Sequence, residues 1–250
     1  MVDSILLDLS GVLYDGEAVI PGAVHAVAQA QQSGLRVRFV SNTSQKSRES
    51  LLVQLRKLGF IIEREQLFTA LDAARQWLQQ RKLRPYCLVH AQVSGEFSDL
   101  DQHDPNAVLI ADAAEGFNYA NLNAALAICM EGAPLLGVGY NRYYRADGEW
   151  KLDAGAFIRA LEFAAGVEAT IVGKPSAEFF QQVVDSFDGS AGRALMVGDD
   201  VFGDVEGALN AGLQACLVRT GKYRSGDEDR IDGDFHVVDS IVDAVTLALT

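Results

Sequence analysis

Ser4-Ile5-Leu6-Leu7-Asp8-Leu9-Ser10-Gly11-Val12-Leu13-Tyr14-Asp15-Gly16 decides how this chain is read. An apolar run too short for a helix ends on a carboxylate and breaks at once into a glycine-containing turn. That reads as a buried strand with Asp8 at its C-terminal tip, the end where open parallel α/β sheets bind ligands. A carboxylate in that place can serve as nucleophile, as metal ligand, or as both.

Working outward, Pro21-Gly22 opens and Gly34 closes a helix over 23–33. Val37 to Ser41 reads as the second strand. A helix is expected over 44–58, with Leu51, Leu52, Leu55 and Leu58 on one face. Strand, helix, strand, helix implies a parallel sheet with right-handed crossovers. The middle differs: strands at 86–90 and 107–111, a helix over 121–131, and a hairpin turning on Asp147-Gly148. The last third resumes the first pattern, with strands at 169–173, 194–197, 215–219 and 235–238 and helices over 176–187 and 204–210. The expected fold is α/β: a Rossmann-like parallel-sheet core made from 1–70 and 169–250, with a smaller α/β cap domain inserted at 71–168.

Composition narrows the function classes. The 250 residues are 49% hydrophobic, enough for a packed core, and carry a net charge of −13. That charge argues against nucleic acid or an anionic membrane as partner, since both call for a basic face. Asp3 and Asp8 interrupt any secretory leader, and no apolar run approaches the ~20 residues that span a bilayer. Cys87, Cys129 and Cys216 are scattered without metal-like spacing, which suits reduced thiols and a cytoplasmic location.

Polar residues recur at four strand ends. The first ends in Asp8 and the second in Ser41-Asn42-Thr43. The strand at 169–173 runs into Gly173-Lys174-Pro175, and the one at 194–197 into Gly198-Asp199-Asp200, with Asp204 close behind. In one parallel sheet these ends share an edge and converge. The set suits a phosphoryl group: Lys174 supplies charge, Ser41 a hydroxyl, and a following helix start supplies free N–H groups. A carboxylate facing an anion needs its repulsion neutralised, which a hard cation such as Mg²⁺ does; Asp8 and Asp199 are the natural ligands. Asp200 and Asp204 are near enough to hold metal-bound water. No Gly-x-Gly-x-x-Gly turn follows the first strand, which speaks against a dinucleotide fold.

Asp8-Leu9-Ser10-Gly11-Val12-Leu13, Val40-Ser41-Asn42, Gly173-Lys174-Pro175 and Gly198-Asp199-Asp200 through Asp204 resemble the four motifs of the haloacid dehalogenase superfamily of phosphatases. The long insert between the second and third resembles the larger, NagD-like cap. Leu6 to Asp15, Ser41 to Arg48, Leu83-Arg84-Pro85-Tyr86 and Arg142-Tyr143-Tyr144 resemble more closely a branch acting on phosphohistidine, phospholysine and pyrophosphate. The resemblance implies that Asp8 attacks phosphorus to form an aspartyl-phosphate. It also implies Mg²⁺ on Asp8, the Ser10 carbonyl and Asp199, with Ser41, Lys174, Asn42 and Thr43 gripping the transferring group. Relatives with this cap often dimerise through it, so the expected partners are a small phosphorylated substrate or side chain and a second copy of the chain.

One position departs from the superfamily. Two residues after the nucleophile most members carry an Asp that protonates the leaving group; here it is Ser10, a poor acid and base. General acid–base help is worth ~10²–10⁴-fold in rate. An alkoxide, with a parent pKa near that of water at about 15.7, needs that help most. Imidazole, at about 6.5, needs it least. P–N bonds and pyrophosphate are therefore favoured over sugar phosphates. Two other readings stand beside this one: a broad small-molecule phosphomonoesterase, and a non-catalytic phosphate- and Mg²⁺-binding interaction protein.

Overall fold

A computed structural model of the chain describes residues 2–146 and 149–250, the side chains of 144–146 excepted. It divides into two compact units, Met1–Ser41 with Arg48–Phe68 and Lys174–Thr250, and Asn42–Ser47 with Thr69–Gly173.

Strand β1 (Ser4–Asp8) leads through a small flap, β2 (Tyr14–Asp15) and β3 (Ala18–Val19), to α1 (Ala23–Gln32), β4 (Arg36–Ser41), α2 (Arg48–Lys57) and β5 (Leu67–Thr69). The second unit follows with α3 (Ala70–Gln80), β6 (Pro85–Leu88), β7 (Ala107–Ile110), α4 (Tyr119–Met130) and β8 (Leu135–Gly137). It ends with β9 (Tyr143–Ala146), β10 (Glu149–Leu152), α5 (Ala154–Ala165) and β11 (Thr170–Ile171). The chain then returns with α6 (Ala177–Asp185), β12 (Ala194–Gly198), α7 (Gly207–Asn210), β13 (Gln214–Val218), β14 (His236–Val238) and α8 (Ile241–Ala248).

The first unit holds a six-stranded sheet in the order β14-β13-β12-β1-β4-β5. β1 lies inside it, parallel to β12 on one side and β4 on the other, and all five of its residues are buried. Ile5 and Leu7 share a cluster with Leu195, Val197, Cys216 and Val218. Ala26 and Val27 of α1, Leu51, Leu52 and Leu55 of α2, and Ile241 and Val245 of α8 complete it. Each such side chain is worth about 1.5–3 kcal/mol when taken fully from water. The strand that carries Asp8 is therefore buried along its whole length and held between two parallel neighbours.

The second unit has a parallel four-stranded sheet, β11-β8-β7-β6. Val108, Ile110 and Leu135 pack there against Ala125 and Cys129 of α4 and Ile158 and Leu161 of α5. Rings of Phe117 and Phe157 stack with centroids 3.8 Å apart. β9 and β10 pair antiparallel as the sequence suggests, while the Asp147-Gly148 turn lies outside the described residues. Among the described residues no helix is long and apolar enough to cross a membrane. All three cysteines are free thiols, Cys129 and Cys216 buried and Cys87 half-buried.

Several expectations change. The strand at 169–173 shrinks to Thr170–Ile171 and pairs with β8, so it belongs to the second sheet. Lys174 is therefore not at a strand tip of the first sheet, and only three of the four strand ends share that edge. The helix expected from 44 begins at Arg48. Ser44 and Gln45 are held otherwise: Asp112 N–H donates to Ser44 Oγ at 3.3 Å, and Gln45 Nε2 to Asp112 Oδ2 at 2.6 Å. Ser41-Asn42-Thr43 thus does not open a helix. After β12 a wide turn of helix over Val201–Glu206 precedes the short α7, instead of one helix from 204.

Candidate active site

Strand register brings the C-terminal ends together. Asp8 sits beside Val40, so Ser41 is one step further along the neighbouring strand. Leu7 sits beside Val197, so Gly198 and Asp199 emerge on the other side. Asp8, Ser41 and Asp199 are all buried there. The chain leaves Asp8 through Leu9 and an exposed Ser10 into Gly11, whose φ of +85° a side chain would strain.

Lys174 reaches this edge from its own loop. Its Nζ donates to Asp8 Oδ1 and to Asp204 Oδ1, both at 2.6 Å, with its side chain 6% exposed. Burial alone would lower the lysine's pKa, but the Asp204 and Asp8 carboxylates outweigh it and hold the ammonium above the ordinary lysine range. Asp204 also accepts from Asp200 N–H at 3.2 Å through Oδ2, so both its oxygens are engaged. Burial pushes its carboxyl up against the pull of Lys174.

Asp200 is occupied locally. Its Oδ1 accepts from Phe202 N–H at 3.1 Å and Gly203 N–H at 2.9 Å, capping the turn that follows. Its Oδ2 lies 3.4 Å from Lys222 Nζ. Burial would raise this carboxyl, but the Gly203 N–H and Lys222 prevail and hold it below the ordinary range. Asp199 differs. Lys222 N–H donates to its Oδ2 at 2.7 Å, while its Oδ1 is buried and has no partner among the described residues. Burial, then the nearby Asp8 charge, pushes Asp199 up to about 7.

These observations test whether a cation fits. Asp8, Asp199 and Asp204 each bring an oxygen within 4.8 Å of the others. Four acids (Asp8, Asp199, Asp200, Asp204) face two ammonium groups (Lys174, Lys222), so ionising all four leaves two negative charges in surplus, and, after burial, the neighbouring Asp8 charge is part of what holds Asp199 up. A divalent cation cancels that surplus, and a hard one prefers this all-oxygen donor set. The open Oδ1 of Asp199 is the natural ligand atom, because an unpaired buried oxygen is otherwise costly. The residues fit such an ion.

The sequence-named residues are thus distributed unevenly. Asp8, Lys174, Asp199 and Asp204 form one cluster, with Ser41 and Ser10 on the adjoining chain. Asn42 and Thr43 group with the second unit, where Asn42 lies against Gly173. Thr220, Gly221 and Lys222 were missed. They follow β13, which neighbours β12 in the sheet, so they occupy one more strand end on the same edge. Carrying the strand-end rule one strand further would have found them.

A haloacid dehalogenase-like hydrolase family profile matches residues 5–103, and a second, HAD-hydrolase-like profile matches 171–244. Phospholysine phosphohistidine inorganic pyrophosphate phosphatase of Rattus norvegicus is 46% identical over 99% of this chain and 94% of its own length. Haloacid dehalogenase-like hydrolase domain-containing protein 2 of the same species is 41% identical over 93% and 90%. Among solved structures, a 4-nitrophenylphosphatase from Thermotoga maritima superposes with a TM-score of 0.89 at 21% identity, over 98% of this chain and 97% of the other. NagD from E. coli gives 0.88 at 19%, over 96% and 97%. Both share the fold.

Proposed function

The chain belongs to the haloacid dehalogenase-like hydrolases and is a phosphatase, and from that premise we propose that it is Mg²⁺-dependent, acts through a phosphorylated Asp8, and prefers P–N bonds or pyrophosphate to alkyl monoesters. The observation that carries this is the buried cluster at the tip of β1. Asp8 is held 2.6 Å from Lys174 beside an Asp199 whose second oxygen is open. The named activity of the relatives at 45–46% identity over the whole chain supports the substrate class.

In this reading Asp8 attacks phosphorus in line with the leaving group. Lys174, fixed by Asp204, faces the oxygens on which charge is spread, and the Ser41 hydroxyl donates to them. Asp8, the Ser10 carbonyl and Asp199 would hold Mg²⁺, which supplies neutralisation of the charge between nucleophile and phosphoryl group. Ser10 contributes its backbone and no proton. With no acid on the protein, the proton must come from solvent: the basic nitrogen of a phosphoramidate takes one in water and departs as neutral imidazole or amine, and pyrophosphate departs as phosphate, whereas an unprotonated ester oxygen must leave as an alkoxide. Water then hydrolyses the acyl phosphate on Asp8. In this proposal the second unit, which holds the expected insert 71–168 and also takes β11 from the expected core part 169–250, is the family's cap. The protein is then a cytoplasmic homodimer formed through the cap, taking small phosphorylated substrates and neither nucleic acid nor membrane.

The test is a turnover panel with Mg²⁺. It sets phosphohistidine, phospholysine, imidodiphosphate and pyrophosphate beside sugar phosphates. Equal or faster turnover of the sugar phosphates overturns the preference, and activity surviving in Asp8→Asn overturns the nucleophile.

A further inference from the structure

Apart from the Lys222 ammonium beside Asp200, the turn Thr220-Gly221-Lys222 plays no part in the chemistry above, yet it closes directly on Asp199. The Lys222 backbone N–H donates to Asp199 Oδ2 at 2.7 Å. Thr220 Oγ1 donates a short hydrogen bond to the carbonyl of Gly11, tying this turn to the one that follows Asp8. Gly11 (φ +85°) and Gly221 (φ +62°) stand on either side of the same carboxylate, and a Cβ on either would overlap Asp199 Oδ2. A Cβ on Gly221 would also collide with the backbone of Gly11. Only two glycines let the turns approach this closely with positive φ.

The result is a carboxylate with its two oxygens treated differently. Oδ2 is pinned, while Oδ1 is buried and has no partner among the described residues. A contact serving the fold alone would satisfy both, since a buried unpaired acceptor costs stability. The pinning group is a neutral backbone N–H. The ammonium of the same residue is turned to Asp200 Oδ2, 3.4 Å away, so the amide fixes the orientation of Asp199 and leaves its Oδ1 open.

We propose that Thr220-Gly221-Lys222 is a clasp that sets the rotamer of Asp199 so that Oδ1 is presented to the cation. The three are positioning residues, acting on the cation through Asp199. The inference rests on the reading of Asp199 as a cation ligand, and it assigns the pre-ordering of that ligand to a segment outside the four motifs. Orienting groups behind a metal ligand typically govern roughly 10–100-fold in metal affinity.

The experiment titrates Mn²⁺ into metal-free protein by calorimetry, for wild type, Thr220→Val, Thr220→Ser and Gly221→Ala. Thr220→Val keeps the shape and removes the donor; it is expected to weaken Mn²⁺ binding about 10-fold, with Thr220→Ser restoring it to within about twofold. Gly221→Ala is expected to lose more. The Mn²⁺ concentration giving half-maximal turnover should rise with the dissociation constant, while kcat at saturating Mn²⁺ changes far less. Thr220→Val that melts like wild type and binds Mn²⁺ equally tightly overturns the clasp alone. A wild type that binds no Mn²⁺ overturns the cation-ligand reading, and the clasp with it. Should Gly221→Ala fail to fold, the valine and serine variants still decide.

Discussion

Lys174→Met removes one ammonium and strands two buried carboxylates, and its cost can be worked from the site. Lys174 Nζ is 2.6 Å from Asp8 Oδ1 and from Asp204 Oδ1. The side chains of Lys174, Asp8 and Asp204 are 6%, 11% and 2% exposed, so solvent screens the pairs little. Methionine keeps the length of the aliphatic stem, which leaves the lost charge as the main perturbation. Breaking a buried ion pair from one side costs about 3–5 kcal/mol, because the partner is left uncompensated. For a chain of this size each kcal/mol moves the melting temperature by about 2–4 °C, so a fall of roughly 6–20 °C is expected. Asp204→Asn in the same chain should return part of it, with a coupling of about 1–3 kcal/mol in the double-mutant cycle. The assay is thermal unfolding by circular dichroism at neutral pH with a chelator present, then with Mg²⁺. Mg²⁺ should recover more stability in Lys174→Met than in wild type, since the variant has the larger unneutralised charge. A melting temperature within about 2 °C of wild type, or strictly additive effects of the two substitutions, refutes the reasoning.

Asp8→Asn should abolish turnover and yet raise the melting temperature of the metal-free protein by about 2–4 °C, because it relieves one of four clustered carboxylates while Lys174 keeps Asp204; a lower melting temperature would contradict the charge count. Ser10→Asp supplies the missing acid and should speed alkyl monoester hydrolysis by up to about 10²-fold while changing P–N hydrolysis little; an equal effect on both, measured on the same substrate panel, would sink the leaving-group argument. Glu162, buried in the second unit, accepts from Tyr140 Oη, Ala169 N–H and Arg159, which outweigh the upward push of burial and hold its carboxyl below the ordinary range. A folded pKa below the unfolded one means stability is present above about 4.5 and lost as pH falls through the folded value. The gap in melting temperature between wild type and Glu162→Gln should therefore close in acid; a gap that persists at about pH 3 would refute the assignment.

The parts of the site carried by one strand were legible in the sequence, because a buried strand that stops on a carboxylate leaves a local mark. Asp8 and Asp199 are of that kind. Lys174 meets Asp8 and Asp204, but not from a strand end of the first sheet as its sequence position suggests, since two residues of β11 give no local clue to which sheet they join. Segment 44–47 read as helix because Asp112, the group that holds it, lies 67 and 68 residues away. Helices α3 and α8 went unread although both carry capping boxes, Thr69 with Asp72 and Ser240 with Asp243. Aspartate stands there in place of the usual Glu or Gln, which hid the signal. The Lys222 contact escaped because a backbone N–H donor has no residue identity to recognise.

The strand order also bears on how the protein is made. β1 leaves the ribosome before either neighbour and finds β4 within a few dozen residues, but its other neighbour, β12, starts at Ala194. At about 5–20 residues per second, roughly 150 residues of synthesis separate the two pairings by about 8–30 s. Throughout that interval Ile5, Leu6 and Leu7 line an open sheet edge, the kind of surface that recruits other chains. Asp8 meanwhile lacks Lys174, 166 residues away, and Asp199. A chain that stops early is thus adhesive and inert, so catalytic competence arrives late and all at once, and a nascent-chain chaperone has most to do before β12 appears.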